Sequence, residues 1–167
     1  MIYFTPILLI ILIYFIYEYN QFIKLKNRIQ QSKSGIDVYL TQRFDLIPNL
    51  VQCVKAYATH EKEIFEKITS MRNEYMKTKN LKDGETINKD CNTILALGES
   101  YPDLKADSQF LSLQKSLVKM ESQLQAARRI YNSAVTAYNI KLHSFPSCII
   151  AHLFKYTEES LFEKETN

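Results

Sequence analysis

The stretch Asp37-Val-Tyr-Leu-Thr-Gln-Arg43-Phe-Asp45-Leu-Ile-Pro48-Asn49-Leu-Val51 decides how this chain folds. Asp45 is a good helix N-cap, and Pro48 suits a first helical turn, where its missing N–H costs nothing. A new helix therefore starts here. Short helix–helix connections join antiparallel neighbours, so the chain is expected to reverse near residue 45 rather than continue as a rod.

Apolar positions on both sides repeat at helical spacing. Before the corner, Phe22, Leu25, Ile29, Ser32, Ile36, Tyr39 and Arg43 form one stripe, with Ser32 and Arg43 as polar exceptions. After it, Ile47, Leu50, Val54, Tyr57, Glu61, Ile64, Ile68, Met71 and Tyr75 predict a single second helix to about Lys77. Asp83-Gly84 reads as a turn. A short third helix is expected over 85–99, and Pro102 ends it, with Tyr101 and Leu104 closing the bundle. Asp107 is the N-cap candidate of a fourth helix running to His143 through Phe110, Leu113, Leu117, Met120, Leu124, Ala127, Tyr131, Ala134, Tyr138 and Leu142. The fold class is all-α: an N-terminal transmembrane helix continuing into an antiparallel, coiled-coil-like bundle of four helices, the third short. Three segments follow: an anchor (1–19), the bundle (20–143), and a short apolar segment with an acidic, frayed tail (144–167).

The amino terminus is apolar from 2 to 17, interrupted by Thr5 and Pro6. As a helix it spans about 24 Å, somewhat short of a hydrocarbon core of about 30 Å. No basic residue precedes it and no small-x-small site follows, so a retained anchor is expected rather than a cleaved signal. Lys24, Lys26, Arg28 and Lys33 follow the span, which predicts the amino terminus outside and the main domain in the cytoplasm of a single-pass protein in the cell membrane. Cys53, Cys91 and Cys148 are dispersed and odd in number, as suits a reducing compartment.

A net charge of +3 argues against a nucleic-acid partner. A bundle di-metal site needs inward Glu-x-x-His pairs, and the chain has none. His60 and Glu61 are adjacent, so their side chains diverge on a helix, and Ile64 stands where a zinc helix needs its second histidine. No nucleophile has a base at motif spacing, and three isolated glycines make no phosphate loop. No metal, no cofactor and no catalytic residue is expected. Glu61 interrupts an apolar stripe. Two readings stand for it: a carboxylate paired with Arg43, Arg128 or Arg129, or a perturbed acid in a site.

Three segments resemble the LemA family. They are Ser34 to Val51 with Val54 to Glu61, Leu95 to Ala106, and Ala126 to Val135 with Tyr138-Asn139 and Ser144-Phe-Pro-Ser147. A Trp usual near position 33 is Lys33, and a basic residue usual at 42 is Gln42. The resemblance implies a bacterial all-helical bundle behind one span and implies no settled enzymatic activity. Its motif residues are Asp37, Arg43, Asp45, Pro48, Asn49, His60, Glu61, Tyr101, Pro102, Arg128, Arg129, Tyr131, Asn132, Tyr138, Asn139, Phe145 and Pro146. They are expected to be structural, at helix corners and packing seams.

The expected function is a membrane-anchored, non-enzymatic scaffold. It would hold the lipid bilayer through residues 2–17 and bind an unidentified protein partner or itself. A lipid-surface or envelope-integrity module is the alternative, because with each connection reversing the chain the apolar run Cys148 to Phe154 lands near the bilayer. That run would either touch lipid or cap the bundle. A membrane-associated metal protein or enzyme is the third and least supported reading.

Overall fold

The computed structural model describes residues 4–58 and 61–162. Among these there are seven helices and no strand: α1 (Phe4–Phe44), α2 (Ile47–Lys55), α3 (Lys62–Thr78), α4 (Leu81–Glu99), α5 (Pro102–Lys105), α6 (Ser108–His143) and α7 (Ser147–Leu153). The all-α expectation holds. The chain forms two compact units, one of residues 1–34 and 127–167, the other of residues 35–126.

In the 35–126 unit the end of α1 meets α3 antiparallel. Arg72 of α3 donates through Nε to the carbonyl of Phe44 (2.8 Å), and Tyr75 donates to Asp37 (2.6 Å). A plain mirror about residue 45 would set Asp37 opposite Cys53. It faces Tyr75 instead, because α2 and the turn after it occupy the corner. The single second helix expected from the stripe is therefore two, α2 and α3. No proline or glycine announces this break; Tyr57, Thr59 and His60 are merely weak helix formers. Splitting the helix still lets Val54, Ala58, Phe65 and Ile68 all reach the core.

Asp45 does not cap α2. Leu46 holds that place without a side-chain bond, and the Asp45 carboxylate pairs with Arg72 at 3.1 Å. Pro48 does lie in the first turn of α2. At the other long helix the expected cap is present: Asp107 Oδ1 accepts from the N–H groups of Gln109 (2.8 Å) and Phe110 (2.9 Å). Pro102 opens α5, with Tyr101 extended before it and Leu104 fully buried.

The turn placed at Asp83-Gly84 falls earlier, at Lys79, whose φ of 52° is left-handed. Gly84 is inside α4 and serves close packing. A Cβ there would stand 2.9 Å from both Leu40 Cδ1 and Tyr75 Cε2. At Gly35, by contrast, nothing lies within 4 Å.

In the other unit, the α1 segment up to residue 34 packs antiparallel on the second half of α6. Phe22 meets Tyr138 edge-on at 6.1 Å, and Lys141 Nζ pairs with the buried Glu18 at 2.6 Å. The stripe expected on α6 forms this core through Ala127, Tyr131, Ala134, Tyr138 and Leu142.

Opposite effects are expected at the two helical glycines. Gly35→Ala should stabilise by about 0.5–1 kcal/mol, from helix propensity alone. Gly84→Ala should destabilise by about 1–3 kcal/mol despite the same propensity gain, from overpacking. Thermal unfolding of the two variants checks the pair; a stabilising Gly84→Ala would refute the packing assignment.

Candidate functional site

Arg43 is 1% exposed, the largest fully buried side chain among the described residues. A buried guanidinium is tolerated only when paired and hydrogen-bonded. Its Nη1 meets the Glu121 carboxylate of α6, and its Nη2 donates to Asn92 Oδ1 of α4 at 2.5 Å. Asn88 Nδ2 donates to the same Glu121 oxygen at 3.2 Å, and Gln125 Nε2 reaches the other at 3.3 Å. Three helices are thus tied by one charge pair and its amide partners. Arg43 was visible in sequence as a polar break in an apolar stripe, but its acid was sought at Glu61. Glu121 sits beside the α6 stripe rather than on it, so periodicity did not single it out.

Glu61 is half-buried at the start of α3, without a side-chain capping bond. His60 lies outside the described residues. Asn49 is exposed on the rim of an open cleft of about 670 Å³, with Cys53, Tyr57, Asp107 and Ser112 also lining it. Burial and the nearby Asp107 push the Cys53 thiol up, away from the thiolate. Burial raises Cys91 to about 12, only partly countered by Arg43. Neither is an activated nucleophile. Among the described residues no group of three or more His, Cys, Asp or Glu side chains could hold a metal ion. Asp37 holds the Tyr75 hydroxyl, and burial together with that bond pushes the phenol further up from its ordinary value.

The motif residues of α6 do something the sequence did not reveal. Of the tail expected to fray, residues 156–162 are non-helical and bonded along the helix, and residues 163–167 lie outside the described residues. Asn139 donates to the Glu159 carbonyl (2.8 Å) and accepts from the Glu159 N–H (3.1 Å). Asn132 does the same to Phe162, at 3.1 and 2.7 Å. Tyr138 and Tyr131 donate to the carbonyls of Thr157 (3.1 Å) and Ser160 (3.2 Å). Arg128 lies over the Phe162 ring at 5.5 Å, whereas Arg129 is exposed. The only advance signal was the repeat Tyr131-Asn132, Tyr138-Asn139, seven residues apart.

Phe145 and Pro146 lead into α7. Phe154, which follows that helix, lies against the α1 residues Phe15 (5.9 Å) and Tyr19 (4.9 Å). The inner face of α7 buries Ser147, Ile150 and Ala151, so the segment does cap its unit. Its other face does not: Ile149 is 60% exposed and Leu153 63%, and Phe145, just before the helix, is 82% exposed. Along α1, residues 7–13 are all more than half exposed, and this helix is long and apolar enough to cross a membrane.

Comparison with known proteins matches a family model, the LemA family, to residues 32–167. The chain is 27% identical to Protein LemA of Metamycoplasma hominis over 158 residues, covering 90% of this chain and 72% of that protein. It is also similar to Magnetosome protein MamQ 2 of Paramagnetospirillum magneticum (22% identical, 89% of this chain and 65% of that protein). Magnetosome protein MamQ of Magnetospirillum gryphiswaldense is 21% identical with the same coverage. This chain therefore spans just under two thirds of the magnetosome relatives' length.

If the Arg43 cluster is structural, Glu121→Ala strands a buried cation and should cost about 3 kcal/mol. Replacing both partners by apolar residues (Arg43→Met with Glu121→Leu) should recover most of that loss. Urea unfolding of the single and double variants reads this directly. Cys91 should also resist alkylation in the folded chain and react on unfolding; fast native labelling would contradict its burial.

Proposed function

We propose that this chain, which belongs to the LemA family, is a membrane-anchored helical scaffold that works by binding rather than catalysis. One observation carries the reading. The apolar run 7–17 is water-exposed along most of its length, yet it is continuous within α1 with the stripe that builds a packed core. Exposed apolar surface of that extent needs an apolar surrounding. The buried charges are meanwhile committed to holding helices together: Arg43 with Glu121, and Glu18 with Lys141. Lys24, Lys26, Arg28 and Lys33 after the span support a cytoplasmic placement of the rest of the chain. Lys26 Nζ is 5.0 Å from the Tyr156 ring centre, so part of this charge also serves the fold.

A second reading, contact of α7 with the lipid surface, is favoured by its exposed face. Ile149 and Leu153 are spaced by four on it, Phe145 is exposed just before it, and Phe154 is seated on α1 at Phe15 and Tyr19, where the apolar run ends. An apolar helical face at that level suits the headgroup boundary. A bilayer would then be gripped twice, by a span and by a short helix beside its exit.

The chain has no tryptophan, so one can be introduced as a reporter. In the full chain reconstituted into vesicles, Ile149→Trp and Leu153→Trp should emit toward the blue and be quenched by brominated lipid. Water-like emission, unaffected by brominated lipid, would remove the lipid-surface reading and leave the anchor untouched. For the scaffold itself, in-cell crosslinking should capture discrete protein partners or the chain itself. Stoichiometric iron or zinc in the purified protein would overturn it.

A further inference from the structure

The Tyr-Asn repeat on α6 has a physical period. Seven helical residues rise about 10.5 Å. Three residues of extended chain span about 10 Å. The tail uses this match. Tyr138 and Asn139 hold residues 157 and 159, and one heptad earlier Tyr131 and Asn132 hold residues 160 and 162. Each tyrosine takes a carbonyl, and each asparagine takes both the N–H and the carbonyl of the residue two further on. These are the donors and acceptors a neighbouring strand would satisfy, supplied by a helix. The tail runs antiparallel to α6, and its backbone is held at four residues; between its ends the exposed Glu158 side chain pairs with His143 at 2.5 Å.

Side chains enter at the two ends. Tyr156 packs on Phe22 at 5.0 Å beneath Lys26, and Phe162 meets Tyr131 edge-on at 5.9 Å beneath Arg128. Between them Thr157, Glu158, Ser160 and Leu161 are exposed. The groove therefore selects an extended segment with aromatic residues six positions apart. The chain's own tail has that pattern, and so does the tail of every other copy. The lead into the tail passes through Lys155, whose φ of 53° closes α7: its N–H bonds the His152 carbonyl (3.2 Å) and the N–H of Tyr156 bonds the Ala151 carbonyl (2.9 Å).

We infer that the Tyr-Asn heptad of α6 is a docking site for extended peptide backbone, filled by residues 157–162 of its own chain and open by exchange to the same segment of a second copy. Exchange of one element between protomers adds no new interface chemistry. Tethering favours the chain's own tail through its high effective concentration, and confinement of copies to one membrane raises that of the neighbours' tails. The inference rests on the scaffold reading for its use, by giving self-association a mechanism. Its test is independent of any membrane.

The probe is a fluorescent peptide of sequence Lys-Tyr-Thr-Glu-Glu-Ser-Leu-Phe, residues 155–162, added to the full chain in detergent. Phe162→Ala in the protein loosens the resident tail. The peptide should bind this variant saturably, and at least about tenfold more weakly when Asn132→Ala and Asn139→Ala are added, since four backbone bonds are lost. Circular dichroism must show that the helices persist in both. Methylating the peptide nitrogens of Glu159 and Phe162 should abolish binding, whereas alanine at Glu158 and Ser160 should change it by less than about threefold, since exposed side chains contribute little. In the unaltered sequence, two differently tagged copies should co-purify, and the asparagine substitutions should separate them. Absence of peptide binding to the loosened variant, binding indifferent to the asparagines, or copies that never co-purify would overturn the inference.

Discussion

A guanidinium cut off from water has to be answered where it stands, and Arg43 of α1 is answered by two other helices. Glu121 of α6 supplies the charge and Asn92 of α4 the amide oxygen, while Asn88 of α4 donates to Glu121 in turn. Because a charge pair of this burial tolerates little misplacement, it sets the register in which α1, α4 and α6 meet. Around it the packing is ordinary: Ile36, Leu40 and Phe44 from α1, Ile87 and Cys91 from α4, Leu117 and Leu124 from α6. Close approach of α4 is possible because position 84 has no Cβ. The polar cluster accounts for the most conspicuous charged residue of the corner without assigning it any chemistry.

In the other unit the pattern repeats on a smaller scale. Glu18, at the end of the apolar run, is buried and paired with Lys141, which also lies 5.7 Å from the Phe22 ring centre. A carboxylate so close to an apolar span would be costly alone, and the partner on α6 removes that cost. The same helix then presents its tyrosines and asparagines to the tail. Burial pushes the hydroxyls of Tyr131 and Tyr138 up from their ordinary value, with Glu159 adding to both, so they remain donors across the physiological range. Donors are what carbonyl recognition requires.

These features share a logic. The polar residues that stand out in the sequence are spent on joining elements, and the surfaces left over are apolar or backbone. The apolar run of α1 and the outer face of α7 are exposed, and α6 carries a row of backbone-binding side chains.

Much of this was legible in the sequence because helical periodicity is a local property. The α6 stripe, its cap at Asp107, its end before Phe145-Pro146 and the apolar run at the amino terminus all follow from spacing and capping chemistry within a few residues. What escaped depends on partners distant in the chain. The division of α2 from α3 is carried by no breaker residue, and Gly84 resembles a turn until Leu40 and Tyr75 are seen against it. Asp45 looks like a cap until Arg72 arrives to claim it. The acidic tail looks unstructured because its own side chains bury little, and only the facing tyrosines and asparagines of α6 give its backbone somewhere to bond. Sequence determined the long helical stretches and their apolar faces, since those depend on neighbours three and four residues away; the division of α2 from α3, the pairing of charges, the close approaches and the order of the tail were decided only by the tertiary structure, since a hydrogen bond or an ion pair is specified by where its partner lies in space.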